Sequence, residues 1–275
     1  IMSHEESFFF AALLLLVIIS SLHYRYRPQF IAALCIAPAV LIAMVANQRR
    51  TDYIALLVGC GVAWVLVFQI RSEARAKLLV VMVLCLGLGA AYVLAFQKDQ
   101  GSFGEPARAV ISVFNPSATD ARDANSNLYR LIENNDLKDT AKQAPLGLGF
   151  GKPFLQPVAL TSIFPDVLQS DPYYNYVPHN TIYWIWVDLG PVGYFSLWFL
   201  FGSIIILGSI IARKLRDPYL QVVAIYVVAI VVMEVIVAFA DYQLFFYRNV
   251  IYMGILCGIL AKLPKLDQQD QKEVK

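Results

Sequence analysis

Apolar residues come along this chain in long runs joined by short polar connections, with one exception. The runs occupy residues 7–22, 30–46, 53–70, 78–96, 183–212, 220–240 and 245–263. They are apolar on every face, so neither the alternation of a half-buried strand nor the single stripe of a soluble helix describes them. Most come close to the ~20 residues that a helix needs to cross a bilayer. The pattern predicts an all-α fold, a polytopic membrane helix bundle of about seven spans. The fifth run is overlong and contains Gly190-Pro191, which predicts a short interfacial piece, 179–189, followed by a true span, 191–212. The exception is 98–179, a long polar stretch rich in Pro, Gly and Asn. The chain therefore divides into four spans (1–97), one large loop (98–179), three spans (180–263) and a tail (264–275).

Composition supports the membrane reading. Hydrophobic residues make up 59% of the chain and charged residues 15%, against ~45–50% and ~25% in an ordinary soluble domain. A net charge of +2 gives no reason to expect a polyanion surface. Cys35, Cys60, Cys85 and Cys257 all lie in apolar runs, so no disulfide framework or zinc site is readable, and neither metal nor cofactor is expected. The first run lacks a positive leader and follows Glu5 and Glu6, so it reads as a span rather than a cleaved signal. Short-loop Lys and Arg set orientation. Arg25, Arg27, Arg71, Arg75, Lys77, Arg213, Lys214 and Arg216 fall on the side of the C-terminus, which is then cytoplasmic. Only Arg49, Arg50 and Arg248 fall in short loops on the other side. The large loop is thus extracytoplasmic, with Tyr173, Tyr174, Tyr176, Tyr183, Trp184 and Trp186 as an interfacial belt.

Within the loop, residues 126–144 place Leu128, Leu131, Ile132, Leu137 and Ala141 at helical spacing, with Pro145 as a stop. Gly147, Gly149 and Gly151 follow. Their run PLGLGFGK lacks the spacing of a nucleotide-phosphate loop, which leaves close backbone packing or passage of a bulky substrate. Arg50, Arg130 and Arg248 stand on the external side. Two readings are open for them: snorkelling to lipid headgroups, or convergence of planar, permanently charged guanidinium groups on a phosphate. His179, between Pro178 and Asn180 where the loop re-enters the membrane, is either a polar surface residue or a general base. Asp52, Glu133, Asp136, Asp188 and Asp241 read as arginine partners or solvated groups.

Four elements in order resemble the O-antigen ligase and Wzy C-terminal-domain family of membrane proteins. They are Arg50-Thr51 opening a span, Asn127-Leu128-Tyr129-Arg130 in the large loop, Pro145 to Gly151 with its alternating glycines, and His179-Asn180 followed by Leu189-Gly190-Pro191-Val192-Gly193. The resemblance implies a GT-C-like fold in the bacterial inner membrane. It also implies a metal-independent, inverting glycosyltransferase that takes a glycan from an undecaprenyl-diphosphate carrier. The acceptor would be lipid A-core of lipopolysaccharide, a growing polysaccharide or a protein. It assigns Arg50 and Arg130 to the diphosphate and His179 to the acceptor hydroxyl; Arg248, which matches no motif of the family, is added from its external position as a third cation, and Asn180 is assigned to substrate binding. Family members carry more spans before the loop, so the chain is expected to be the C-terminal part of a longer protein, which leaves an inactive truncated member as one alternative. The other is a transporter of a small solute, for which the broken fifth span would form the path.

Overall fold

A computed structural model describes residues 4–23, 27–47, 49–101, 103–114, 121–157 and 176–273. All regular structure among them is helical: α1 (His4–His23), α2 (Arg27–Asn47), α3 (Arg50–Ile70), α4 (Arg75–Phe96), α5 (Glu105–Phe114), α6 (Ala121–Gln143), α7 (Thr181–Lys214), α8 (Pro218–Ala238) and α9 (Tyr247–Glu273), with single 3-10 turns at Ser72–Ala74 and Gln243–Phe245. Among the described residues, five helices are long and apolar enough to cross a membrane: Arg50–Ile70, Ser72–Phe96, Thr181–Lys214, Pro218–Ala238 and Tyr247–Gln269. The first two expected spans give shorter apolar helices among the described residues, Glu6–Leu22 and Cys35–Asn47. The helices that contain them, α1 and α2, run to 20 and 21 residues, about the ~30 Å of a hydrocarbon core at 1.5 Å per residue. Residues 264–273, expected as a tail, continue α9 as helix through Pro264. The prolines and tyrosines of 158–175 lie outside the described residues.

The chain forms two compact units. The first comprises Ile1–Pro116, Ser203–Met233 and Ile251–Lys275. Here α1 packs on α2 and α3, and α5 packs on α3 and α4. Gly59 lets α3 lie against Met233, because a Cβ there would sit 2.7 Å from the Met233 Cγ and Sδ. Asp267 on α9 accepts from the backbone N–H groups of Arg216 (3.1 Å) and Asp217 (2.9 Å), satisfying donors in the turn between α7 and α8. Along α4 the only buried residue is Leu78, and its other apolar side chains point outward.

The second unit comprises Ser117–Gly202 and Glu234–Val250. Leu137, Phe154 and Val187 form its buried centre, with Tyr129, Ile132, Ala141, Leu148 and Tyr183 packed around them. Helix α6 begins five residues earlier than the apolar spacing predicted and ends just before Ala144-Pro145, where proline disfavours helical geometry in the preceding residue. Leu137, Ile132 and Ala141 of that spacing do face the buried centre, but the inward face is more polar than predicted. Leu128 and Leu131 are exposed, whereas Glu133, Asp136 and Thr140 are buried beside Leu137.

Helix α7 breaks where Gly190-Pro191 predicted. Gly190 has φ 65° and ψ −165°, a conformation confined in practice to glycine. The Val187 carbonyl would have bonded the nitrogen of residue 191, but proline has no N–H. The glycine run supplies the missing donors: Leu148 N–H reaches the Val187 carbonyl at 2.7 Å and Gly149 N–H the Asp188 carbonyl at 2.9 Å. The two backbones touch. A Cβ on Gly147 would lie 2.6 Å from the Asp188 carbonyl, and one on Gly190 would run into the Leu146 carbonyl. Close backbone packing therefore accounts for Gly147 and Gly190, whereas Gly149 and Gly151 face open space and have φ of 84° and 78°.

Candidate functional site

Helix α6 and the start of α7 carry the polar groups that the sequence singled out in the second unit. On α6, Arg130, Glu133, Asn134 and Leu137 follow at helical intervals of three and four, so they share a face. Glu133 is 1% exposed. Its Oε2 accepts the backbone N–H of His179 at 2.9 Å, and its Oε1 lies 3.2 Å from His179 Nδ1. One carboxylate thus fixes both the chain entering α7 and the imidazole ring. An ionised carboxylate only accepts hydrogen bonds, so the contact selects the tautomer with the proton on Nδ1. That leaves the Nε2 lone pair directed elsewhere.

The next residue repeats the link. Asn180 Nδ2 donates to Asn134 Oδ1 at 3.0 Å, while Asn180 Oδ1 accepts the N–H of Tyr183 at 3.0 Å and so caps α7. Thr181 donates from Oγ1 to the Asp241 carbonyl at 2.9 Å. The His179 ring stands edge-on between Tyr129 and Tyr242, with centroids 5.3 and 5.4 Å away. Glu133, Tyr129 and Tyr242 hold the imidazole from three sides, and its side chain keeps 16% of its surface exposed. It is positioned like a reagent more than like a free surface histidine.

The arginines are placed differently from one another. Arg130 is half-buried one turn before Glu133. Arg248 is exposed in the first turn of α9 and lies over the Tyr247 ring, its Cζ 5.8 Å from the centroid. Arg50, half-buried, is the first residue of α3 in the other unit.

Residues 31–199 match the O-antigen ligase family. The chain belongs to the O-antigen ligase family. No curated protein matches it significantly. The matched stretch of this O-antigen ligase family member includes Arg50, Arg130, the glycine run, His179, Asn180 and Gly190, and it stops short of Arg248.

The five acidic residues, expected as arginine partners or solvated groups, are not solvated. Asp52, Glu133, Asp136, Asp188 and Asp241 are all at most 5% exposed. Glu133 is bound to a histidine rather than standing in solvent. Asp241 accepts the N–H of Tyr242 at 2.8 Å, and Asp136 has an Oδ2 with no hydrogen-bond partner among the described residues. Burial, with the charges of Asp139 and Glu133 adding to it, pushes the Asp136 carboxyl up to about 6. Sequence reasoning missed the roles of Glu133, Asn134, Tyr129 and Tyr242 in this O-antigen ligase family member. The one local sign was Glu133-Asn134 a turn beyond Arg130, since their partners lie 46 residues further on.

Proposed function

We propose that the protein is a membrane glycosyltransferase that moves a glycan from an undecaprenyl-diphosphate carrier to an acceptor hydroxyl, as an O-antigen ligase or a polysaccharide polymerase. The observation that supports this reading is the Glu133–His179 pair on the face of α6 that also carries Arg130. With the Nδ1 proton held by Glu133, Nε2 takes the proton of the acceptor hydroxyl. The acceptor oxygen bonds to the anomeric carbon, the carbon–oxygen bond to the diphosphate breaks, and the electron pair leaves with the diphosphate. Attack from the face opposite the leaving group inverts the anomeric centre. Arg130 stabilises the charge gathering on the diphosphate, with Arg248 as a second cation, and the step is written without a metal. For Arg50, the assignment to the diphosphate rests on the sequence alone. Asn180 orients substrate beside His179.

In this reading the protein sits in the bacterial inner membrane with α1 and α2 also crossing, the loop that carries α6 periplasmic and the C-terminus cytoplasmic. The bundle is GT-C-like. Lipid A-core, polysaccharide and protein remain the acceptor classes, and they share a nucleophilic hydroxyl. The test is transfer by membranes from a deletion strain that expresses each variant. His179→Ala should lower the rate by about 10²–10⁴-fold, and Arg130→Ala should lower it comparably, with both proteins accumulating in the membrane. Transfer at the wild-type rate by both variants would reject the proposal.

A further inference from the structure

A second feature of the same unit is a cavity of about 530 Å³ between α6, α7 and the end of α8. That is within the ~300–1,000 Å³ range of small-molecule sites. One wall is Lys138, Ala141 and Lys142, one face of α6. The other is Tyr183, Trp186 and Tyr194 of α7 with Phe239, just past the end of α8. These aromatics form a ladder. Trp186 stands edge-on to Tyr194 at 4.9 Å, Tyr194 contacts Trp198 at 6.2 Å, and Trp198 contacts Phe239 at 6.1 Å. Tyr183 is fixed from behind by the buried centre of the unit. Lys142 is held by Asp139 at 2.7 Å, and Lys138 is exposed.

Aromatic faces opposed by ammonium groups suit a ligand with flat C–H faces and polar edges, which is the surface of a sugar ring. A lipid chain would use the aromatics but leave the lysines without a role. The cavity lies further along the same two helices than the Glu133–His179 pair, neither member of which lines it. Lys138 and Ala141 follow Glu133 by five and eight residues on α6, about 8–12 Å along the axis. Ile182, Tyr183 and Trp186 follow His179 on α7. That distance is the reach of a short saccharide whose end lies at the imidazole.

We propose that this cavity is a saccharide subsite. Trp186 and Tyr194 stack on a sugar ring, and Lys138 and Lys142 bond its hydroxyl or acidic substituents. The inference rests on the glycosyltransferase reading for its purpose, though sugar binding here is measurable without any transfer. The saccharide belongs either to the donor glycan or to a glycan acceptor, and the chemistry is shared.

The experiment is tryptophan fluorescence of full-length His179→Ala protein in nanodiscs, with His179→Ala/Trp186→Phe as the reference that isolates Trp186. Two probes are the repeat oligosaccharide released by mild acid from the host's polysaccharide and the core oligosaccharide released from its lipopolysaccharide. Saturable change at Trp186 by either probe supports the subsite, and the probe that acts assigns it to donor or acceptor. No change with either probe, together with quenching by brominated phospholipid, makes the ladder a lipid-facing belt and overturns the proposal. In the wild-type background, Trp186→Ala should raise the KM for the glycan by at least about ten-fold, the factor that 1.4 kcal/mol represents. The kcat should hold, and Trp186→Phe should recover most of the loss. An unchanged KM overturns the subsite, whereas failure of wild-type protein to transfer any glycan overturns the proposed function and leaves the fluorescence result standing.

Discussion

Helices α4 and α6 are nearly equal in length, 22 and 23 residues, and they are built on opposite codes. In α4 the side chains are almost all apolar and a single one, Leu78, is buried. The helix needs no protein partner along most of its surface, because its solvent is hydrocarbon and the backbone groups of its interior bond within it. In α6 the sequence is mostly polar, and the buried face mixes Leu137 with Glu133, Asp136 and Thr140. Each of those polar groups costs free energy to bury unless something specific answers it. Glu133 is answered by His179, and Thr140 by the N–H of Leu155 at 3.0 Å. Order in α4 is non-specific and generic to the bilayer, whereas order in α6 is bought contact by contact, and that is where chemistry can be aimed.

The hardest way to break the second kind of order is at the backbone junction. Gly190→Ala forces an L-residue into a region costing about 1–3 kcal/mol by itself and drives its Cβ into the Leu146 carbonyl. The expected loss is at least about 3 kcal/mol, read as a lower unfolding temperature in detergent and faster proteolysis of the loop. Unchanged melting would show that the glycine run does not hold the kink.

A matched pair of exposed leucines sharpens the contrast. Leu86 in α4 is 63% exposed and Leu131 in α6 is 58% exposed. Aspartate at the centre of a membrane helix costs about 2.5–3.5 kcal/mol on insertion scales, while an exposed aqueous site tolerates it to within about 0.5 kcal/mol. Leu86→Asp should therefore reduce membrane insertion in a glycosylation-reporter assay, and Leu131→Asp should leave insertion and melting alone. Equal sensitivity at the two positions would mean that they face the same medium.

A third change tests the aim of the contacts rather than their strength. Glu133→Gln preserves shape and still accepts one hydrogen bond, but its amide donates toward Nδ1 and favours the tautomer with the proton on Nε2. Partners of this kind are worth about 10–100-fold in activity. The kcat should fall by about that factor with normal membrane accumulation and an altered pH–rate profile. If the rate fell with an unchanged profile, Glu133 would be holding structure alone.

The two codes also explain what could be read before the fold was known. The α3, α4 and α8 runs are legible because hydrocarbon selects composition residue by residue, and the break at Gly190 is legible because proline removes a donor. Helix α6 was visible as a helix, and Ile132, Leu137 and Ala141 of its apolar set do pack inward, but the polar part of its buried face was not foreseen. The spacing also pointed to Leu128 and Leu131, which are exposed, whereas Glu133 and Asp136 are buried. His179 and Arg130 drew notice as rare residues in a rare place. Glu133 was noticed only as one of five acidic residues, and its link to His179 was not, because its partner is 46 residues away and no local pattern encodes that distance. The meeting of Gly147 with Gly190 was hidden for the same reason, although each glycine was conspicuous alone.

Asp136 is the buried polar group of α6 that is least answered, and it gives the mildest test. Its carboxyl is held up to about 6, first by burial and then by Asp139 and Glu133, against an ordinary value of 3.8. Between those two values the folded chain keeps a proton that the unfolded chain has released, so stability declines as pH rises through the window and the cost is complete above it. One unit corresponds to about 1.36 kcal/mol; with partial solvent relaxation the cost at pH 7.5 is on the order of 2 kcal/mol. Asp136→Asn removes the ionisation while keeping the shape. It should raise the melting temperature at pH 7.5, leave it nearly unchanged near pH 4, and flatten the decline between them. Parallel pH profiles for the two proteins would mean that the carboxyl is already answered, and α6 would then bury no polar group at a loss.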